Sequence, residues 1–364
     1  MHELTHRIKE KALELGYARV GIAPAARYPE LLEELGQRDG YERWKGDSSP
    51  FPTMADPFSV MPEAKSIISL VWSYGAVDYP EKLLRRVART YLSRSYCPPR
   101  DTSHGLRLTE FEDFLEAQGL RIVRATSNMQ TADRLTAARA GVVTFGRNNF
   151  AYAGDCGSFI TLVSILTDAE LECDQPTVKR PCPDECRLCA DACPTKAIDE
   201  HGRLIAKRCV LYNNILPTAV LDAGVRPDLG QRIHGCDECQ VACPRNREIL
   251  SAPKQADPLL DEIAEGFDLE RILFLDQDYY ERFVRPIMFN YIKDLDLFRR
   301  NAAIAMGNSG EARYLQALEA AAQQGTPTVR EAALWAIDQI QESAAAAKRS
   351  TPAQQSSRVS APVR

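Results

Sequence analysis

Cys182-Pro-Asp-Glu-Cys186-Arg-Leu-Cys189-Ala-Asp-Ala-Cys193-Pro194 and, further on, Cys236-Asp-Glu-Cys239-Gln-Val-Ala-Cys243-Pro244 decide how this chain is read. Eight of its eleven cysteines fall between Cys182 and Cys243, with Cys209 alone between the two runs. A cubane iron–sulfur cluster needs four thiolates converging on one small volume, and closely spaced cysteines on a tight loop supply three of them. Where two clusters share a domain, the Cys that precedes Pro crosses to the other cluster. That rule closes the count: Cys182, Cys186, Cys189 and Cys243 for one cluster, and Cys236, Cys239, Cys193 and Cys209 for the second. The gap from Cys182 to Cys186 holds three residues where the usual bacterial run holds two, so a bulge is expected there. Structural zinc is the competing reading of any such array, but zinc sites lack the x3-Cys-Pro ending. A disulfide framework belongs to small secreted domains. Electron transfer is therefore the first functional expectation.

Working outward, 364 residues allow two or three domains and a substantial core. A formal charge of −5 offers no global attraction for nucleic acid, so any RNA contact must be local. The charged start, Met1-His-Glu-Leu-Thr-His-Arg, carries no apolar signal region, and no stretch is apolar over a membrane span. A cytoplasmic protein is expected.

Residues 1–175 read as an α/β domain. Leu4, Ile8, Ala12 and Leu15 recur at helical spacing before Gly16, and strands follow at Arg19-Val-Gly-Ile-Ala23 and Ser66-Ile-Ile-Ser-Leu-Val-Trp72. The second strand is apolar nearly throughout, the mark of burial on both faces. Between them, residues 24–63 are rich in Pro, Gly and charge and read as a long surface excursion. Helices near 106–118 and 130–140 and strands at 120–124 and 159–165 complete a sheet with helices packed on it. Residues 176–252 form a ferredoxin-like double-cluster domain. Residues 253–342 read as helical, with Arg300-Asn-Ala-Ala-Ile304 and Arg330-Glu-Ala-Ala-Leu334 as a weak repeat of HEAT type, broken at Gly307-Asn-Ser-Gly310. Residues 343–364, poor in bulky side chains, read as a disordered tail.

This order of segments resembles the epoxyqueuosine reductase family, relatives of the corrinoid-dependent reductive dehalogenases. Met61-Pro-Glu-Ala-Lys-Ser-Ile-Ile68, Ala138-Arg-Ala-Gly141, Phe145-Gly-Arg-Asn148, Gly157-Ser158 and Thr167-Asp168 carry the resemblance in the first part of the chain. Both cysteine runs, Gly235-Cys-Asp-Glu-Cys-Gln240, Arg300-Asn-Ala-Ala and Met306-Gly-Asn308 continue it. The resemblance implies a cobalamin held between the N-terminal domain and the cluster domain, electrons passing through two [4Fe-4S] clusters to cobalt, and reductive removal of an epoxide oxygen to give queuosine in tRNA. Carried over by position, cobalamin contacts fall at Tyr96, Cys97, Arg147, Asn148, Ala151, Ser158 to Leu162, Leu211 and Tyr212. The chain lacks an Asp-x-His-x-x-Gly loop, as the family does, so a histidine below cobalt is not expected. The implied partners are tRNA and an electron donor such as a ferredoxin or flavodoxin.

Two stretches depart from the family. Ser127 and Asn128 stand where the family has its acid Asp, and neither releases a proton near neutral pH. Arg94-Ser-Tyr-Cys-Pro-Pro-Arg100 stands where the family has Asp-Tyr-His. Asp133 reads as a solvated or helix-terminal charge. Tyr96, Tyr152 and Tyr212 are the hydroxyls that remain as proton donors. Arg245, Arg247, Arg282, Arg285, Lys293, Arg299 and Arg300 are candidates for phosphate contact, though interleaved acids suit solvated helix faces equally. Two alternatives stay open: a paralogue that reduces a small molecule or another protein, and a cluster-only electron carrier.

Overall fold

The structure is a computed structural model and describes residues 2–38, 49–126, 130–177, 182–215, 221, 224–288 and 294–350. In chain order the first part runs α1 (His2–Glu14), β1 (Arg19–Pro24), α2 (Pro29–Gly36), α3 (Phe51–Ala55), β2 (Ser66–Ser73), α4 (Ser103–Ala117), β3 (Ile122–Arg124), α5 (Asp133–Arg139) and β4 (Ile160–Thr167). The strands form one four-stranded sheet in the order β1–β2–β4–β3, and every pairing is antiparallel. Ile22, Ile68 and Ile165 stand side by side across three strands, which sets the register.

Alternation along the strands then assigns the two faces. Ile68 and Leu70 pack with Ile8 and Ala12 of α1 and with Leu108, Phe111 and Leu115 of α4. Val71, one residue out of phase, packs against Ala137 and Ala138 of α5 on the opposite face. The expectation that β2 is buried on both sides holds for its first six residues. α4 starts where the Thr102 hydroxyl accepts the Gly105 N–H, an N-cap worth about 1 kcal/mol. Gly21 is glycine because α5 ends against β1: a Cβ there would lie 2.1 Å from the Ala140 carbonyl oxygen.

The cysteine segment has far less regular structure. α6 (Leu188–Asp191) and α7 (Glu238–Val241) are single turns, each carrying a Cys of one run, and they pack on each other. The helical part comprises α8 (Pro258–Gly266), α9 (Leu269–Leu273), α10 (Leu295–Ser309), α11 (Leu315–Gln324) and α12 (Pro327–Ser350).

The chain divides into two compact units: 1–216 with 232–267 and 276–293, and 217–231 with 268–275 and 294–364. The sheet and the cysteine segment lie in the same unit, so lines drawn at 175/176 and 252/253 do not coincide with its limits. In the second unit α10 and α12 touch closely; a Cβ on Gly307 would lie 2.7 Å from Ala336 Cα. α10 continues through Gly307 and stops at Gly310, whose φ of 68° gives a left-handed cap, so the break begins later than expected. α12 likewise extends to Ser350, which places 343–350 in a helix rather than in the tail; residues 351–364 lie outside the described residues. Arg300 also corrects its reading. It is 1% exposed and donates to the Asn301 side chain at 2.9 Å, so it supports the helix core and offers nothing to a phosphate.

Candidate active site: two thiol quartets beside a large cavity

The cysteines gather in two neighbouring groups. Cys189 interacts electrostatically with Cys182, Cys186 and Cys243, and Cys239 interacts with Cys236, Cys209 and Cys193. Cys239 also feels Cys189, so the two groups adjoin. Among the described residues, no three His, Cys, Asp or Glu side chains converge as ligands of a single ion do. Burial pushes the thiols of Cys189 and Cys209 up, and that of Cys236 up to about 12. Such thiols are inert until a metal draws off their protons, which coordination does outright.

Donors aimed at the sulfurs fit a cluster, whose potential is set in part by hydrogen bonds to sulfur. The Arg147 N–H donates to Cys182 Sγ at 3.4 Å and the Ala197 N–H to Cys193 Sγ at 3.2 Å. Backbone groups of Leu211 and Tyr212 favour the Cys209 thiolate. Tyr152 accepts from Asn148 Nδ2 at 2.8 Å and bonds to Cys243. Asn148 Nδ2 also donates to the Cys239 carbonyl at 3.0 Å. Arg245 lies over the Tyr152 ring at 3.8 Å and donates to Thr144 Oγ1 at 2.7 Å, so its cation is spent within the fold.

A polar seam joins this segment to β4. The Ser158 N–H donates to Asn246 Oδ1 at 2.8 Å, Asn246 Nδ2 returns a bond to Ser158 Oγ at 2.8 Å, and Ser158 Oγ donates to Gln240 Oε1 at 3.0 Å. All three residues are 1% exposed or less. A satisfied buried network of this kind fixes one geometry.

Beyond Ser158 opens a cavity of about 1150 Å³. That exceeds the range of about 300–1,000 Å³ typical of small-ligand sites. Its floor is β4, with Ser158, Ile160, Thr161 and Leu162, and its sides include Tyr96, Phe145, Gly146, Phe150 and Ala151. Leu31 and Leu35 of α2 and Phe51 and Met54 of α3 line it too. The 24–63 excursion is therefore a wall of the site. The signal in sequence was slight: an i, i+4 leucine pair whose partner surface lay elsewhere in the chain. Apolar walls with hydroxyls and backbone groups suit a corrinoid, whose rim of amides needs many hydrogen bonds.

Of the cobalamin contacts expected from sequence, Tyr96, Ala151, Ser158 and Leu162 line this cavity. Arg147, Asn148, Leu211 and Tyr212 instead face the cysteines. Cys97 sits behind Tyr96 with φ 46°, its thiol pushed up to about 12 by burial. Cys156 is half-buried near Ser73 and Cys173 is exposed. Of the histidines, His201 alone touches the cavity.

Comparison with known proteins agrees. Residues 182–246 match the 4Fe-4S double cluster binding domain. The epoxyqueuosine reductase of Alicycliphilus denitrificans is 30% identical over 365 residues, covering 93% of this chain and 98% of the relative. The chain belongs to the epoxyqueuosine reductase family. The structure of epoxyqueuosine reductase from Bacillus subtilis, with an aspartate catalytic loop swung out of the active site, is 25% identical and superposes with a TM-score of 0.74 over 93% of this chain and 90% of that one. A crystal structure of epoxyqueuosine reductase with an epoxyqueuosine-modified tRNA-Tyr stem loop superposes at 0.75 with 23% identity, covering 95% and 92%. The fold of an epoxyqueuosine reductase and its paired [4Fe-4S] clusters are thus those of this chain.

Ser127 and Asn128 lie outside the described residues. Asp133, read from sequence as a solvated or helix-terminal charge, opens α5 and also lines the cavity. Its carboxyl accepts from Thr131 Oγ1 at 2.7 Å and Thr126 Oγ1 at 3.1 Å, and burial raises its pKa. A residue inside a helix's first turn looks exposed on a helical wheel. Only the packing of α5 beneath the excursion encloses it. Among the remaining phosphate candidates, Arg282 pairs with Glu262 at 2.9 Å, Arg285 with Glu281 at 2.7 Å and Arg299 with Asp296 at 2.8 Å. Lys293 lies outside the described residues.

Proposed function

We propose that this chain is a cobalamin-dependent iron–sulfur reductase that removes the epoxide oxygen of epoxyqueuosine in tRNA. One observation carries the reading: both thiol quartets and the 1150 Å³ cavity belong to one compact unit, joined through the Ser158–Asn246–Gln240 seam. The stem-loop complex of a relative with this fold supports tRNA as the carrier of the substrate. Cobalamin, when bound, would supply a low-potential reducing centre.

The chain's own residues do the rest. Tyr96, Ala151, Ser158 and Leu162 would hold the corrinoid. Cys182, Cys186, Cys189 and Cys243 ligate one cluster and Cys193, Cys209, Cys236 and Cys239 the other. Arg147, Asn148, Leu211 and Tyr212 set the surroundings of those thiolates, and α2 and α3 give the cavity an apolar wall. A ferredoxin or flavodoxin in the cytoplasm supplies the electrons. Among the described residues no helix is long and apolar enough to cross a membrane.

Anaerobically reconstituted protein mixed with cob(II)alamin should shift the cobalt EPR spectrum. Epoxyqueuosine-containing tRNA supplied with a strong reductant should then yield queuosine. An unperturbed cobalt signal would sink the cofactor assignment. A perturbed signal without queuosine would leave a corrinoid enzyme with another substrate.

A further inference from the structure

We infer that Asp133 donates the proton to the oxygen that leaves the substrate. The inference rests on the epoxide reduction proposed above. Taking out an epoxide oxygen breaks two C–O bonds, forms a C=C bond and releases water, so it consumes two electrons and two protons. The electrons come through the clusters from the low-potential donor. Asp133 gives a proton to the oxygen as the first C–O bond opens, and water entering the cavity supplies the second and reloads the carboxyl.

Among the described residues three acidic side chains line the cavity, and two are committed to cations. Glu30 pairs with Arg139 at 2.6 Å, and Glu34 with Arg38 at 2.9 Å and Arg203 at 3.9 Å. Asp133 has no cation within ion-pair distance among the described residues. Arg134 acts on it only at longer range, and Cys97 and Tyr28 are the other titratable groups that feel it. Both threonine hydroxyls donate to Oδ1. Ser164, 0% exposed, stands beside the carboxyl, yet its hydroxyl has no partner at hydrogen-bond length. The hydroxyl donors favour the carboxylate, but burial outweighs them and favours the neutral acid, and the carboxyl stands in the cavity wall where it can pass a proton to a bound substrate.

The tyrosines compete poorly. Tyr152 is committed to Asn148 and Cys243, and burial pushes its pKa far up. The Tyr212 backbone serves Cys209. Tyr96 lines the cavity, but a phenol is a far weaker acid than a carboxylic acid.

The test is Asp133→Asn and Asp133→Glu in cluster-loaded protein with cobalamin. Asparagine should lower kcat for queuosine formation by about 10²–10⁴-fold, the usual value of a positioned acid. KM, iron content and the cob(II)alamin EPR shift should not change. Glutamate should restore part of the rate. Independently of turnover, the infrared band of a protonated carboxyl should be present at neutral pH, vanish in Asp133→Asn and fade as pH rises through the raised pKa, with wild-type kcat following it. Wild-type activity with an asparagine variant within about threefold of it, or no protonated-carboxyl band, would overturn the proton role alone. A wild-type protein that binds cobalamin but makes no queuosine would overturn the epoxide reading and this inference with it.

Discussion

The sheet and the cysteine segment share a compact unit yet are organised by different forces. Between β1 and β4 the chain buries a continuous apolar cluster, with Ile8, Ile22, Ile68, Phe111 and Ile165 fully enclosed. The cysteine segment has a small cluster of Cys189, Ala190 and Ile198 backed by Cys239, and helices of one turn. Apolar area stabilises the first at roughly 25 cal/mol per Å² buried. The second has too little such area and depends on iron–thiolate bonds, as small metal-bound domains do. The comparison teaches that the site is built from a self-sufficient floor and a wall that needs its cofactor.

The strongest way to break this contrast is to remove the metal. Cys193→Ser should cost the cluster that also holds Cys209, Cys236 and Cys239 while sparing the one that holds Cys189, because the ligands cross. Hydrogen exchange should then rise across 182–246, with β2 and β4 still protected; loss of the other cluster instead would refute the crossing. Next in size, Phe111→Ala empties a site with 0% exposure and should cost about 3–5 kcal/mol in urea unfolding. Iron per folded chain should not change, and a fall would show that the sheet and cluster segment do not stabilise independently.

The smallest effect concerns pH. His104 is edge-on to Trp72 at 5.0 Å, and burial, aided by Arg107 and Arg94, lowers its pKa from 6.5 to about 4. The unfolded chain binds this proton below pH 6.5 and the folded chain does not, so stability is lost as pH falls from 6.5 toward 4. Partial exposure limits the loss to about 1 kcal/mol by pH 5. His104→Gln should flatten that limb in denaturation followed by circular dichroism.

Much of this was legible beforehand. The strands at 19–24, 66–73 and 160–167 follow local apolar runs, and α1 and α4 follow periodicity, because burial leaves its period in the sequence. The thiol quartets were legible for a stricter reason, since a cluster demands one residue type at narrow spacings. Arg300 was assigned to a surface and is enclosed in a helix pair; Asp133 opens its helix, as the helix-terminal reading had it, but lines a cavity rather than open solvent. Nothing local marks either case, because burial of a charge depends on what another segment lays over it.

Sequence alone determined the two clusters and the family, since these rest on residue identity and spacing along the chain. The tertiary structure alone decided that the 24–63 excursion is a wall, that Ser158, Asn246 and Gln240 lock the cysteine segment to β4, and that Asp133 stands over the cavity. Those are proximities between residues far apart in the chain, and only packing brings such groups within reach of one another.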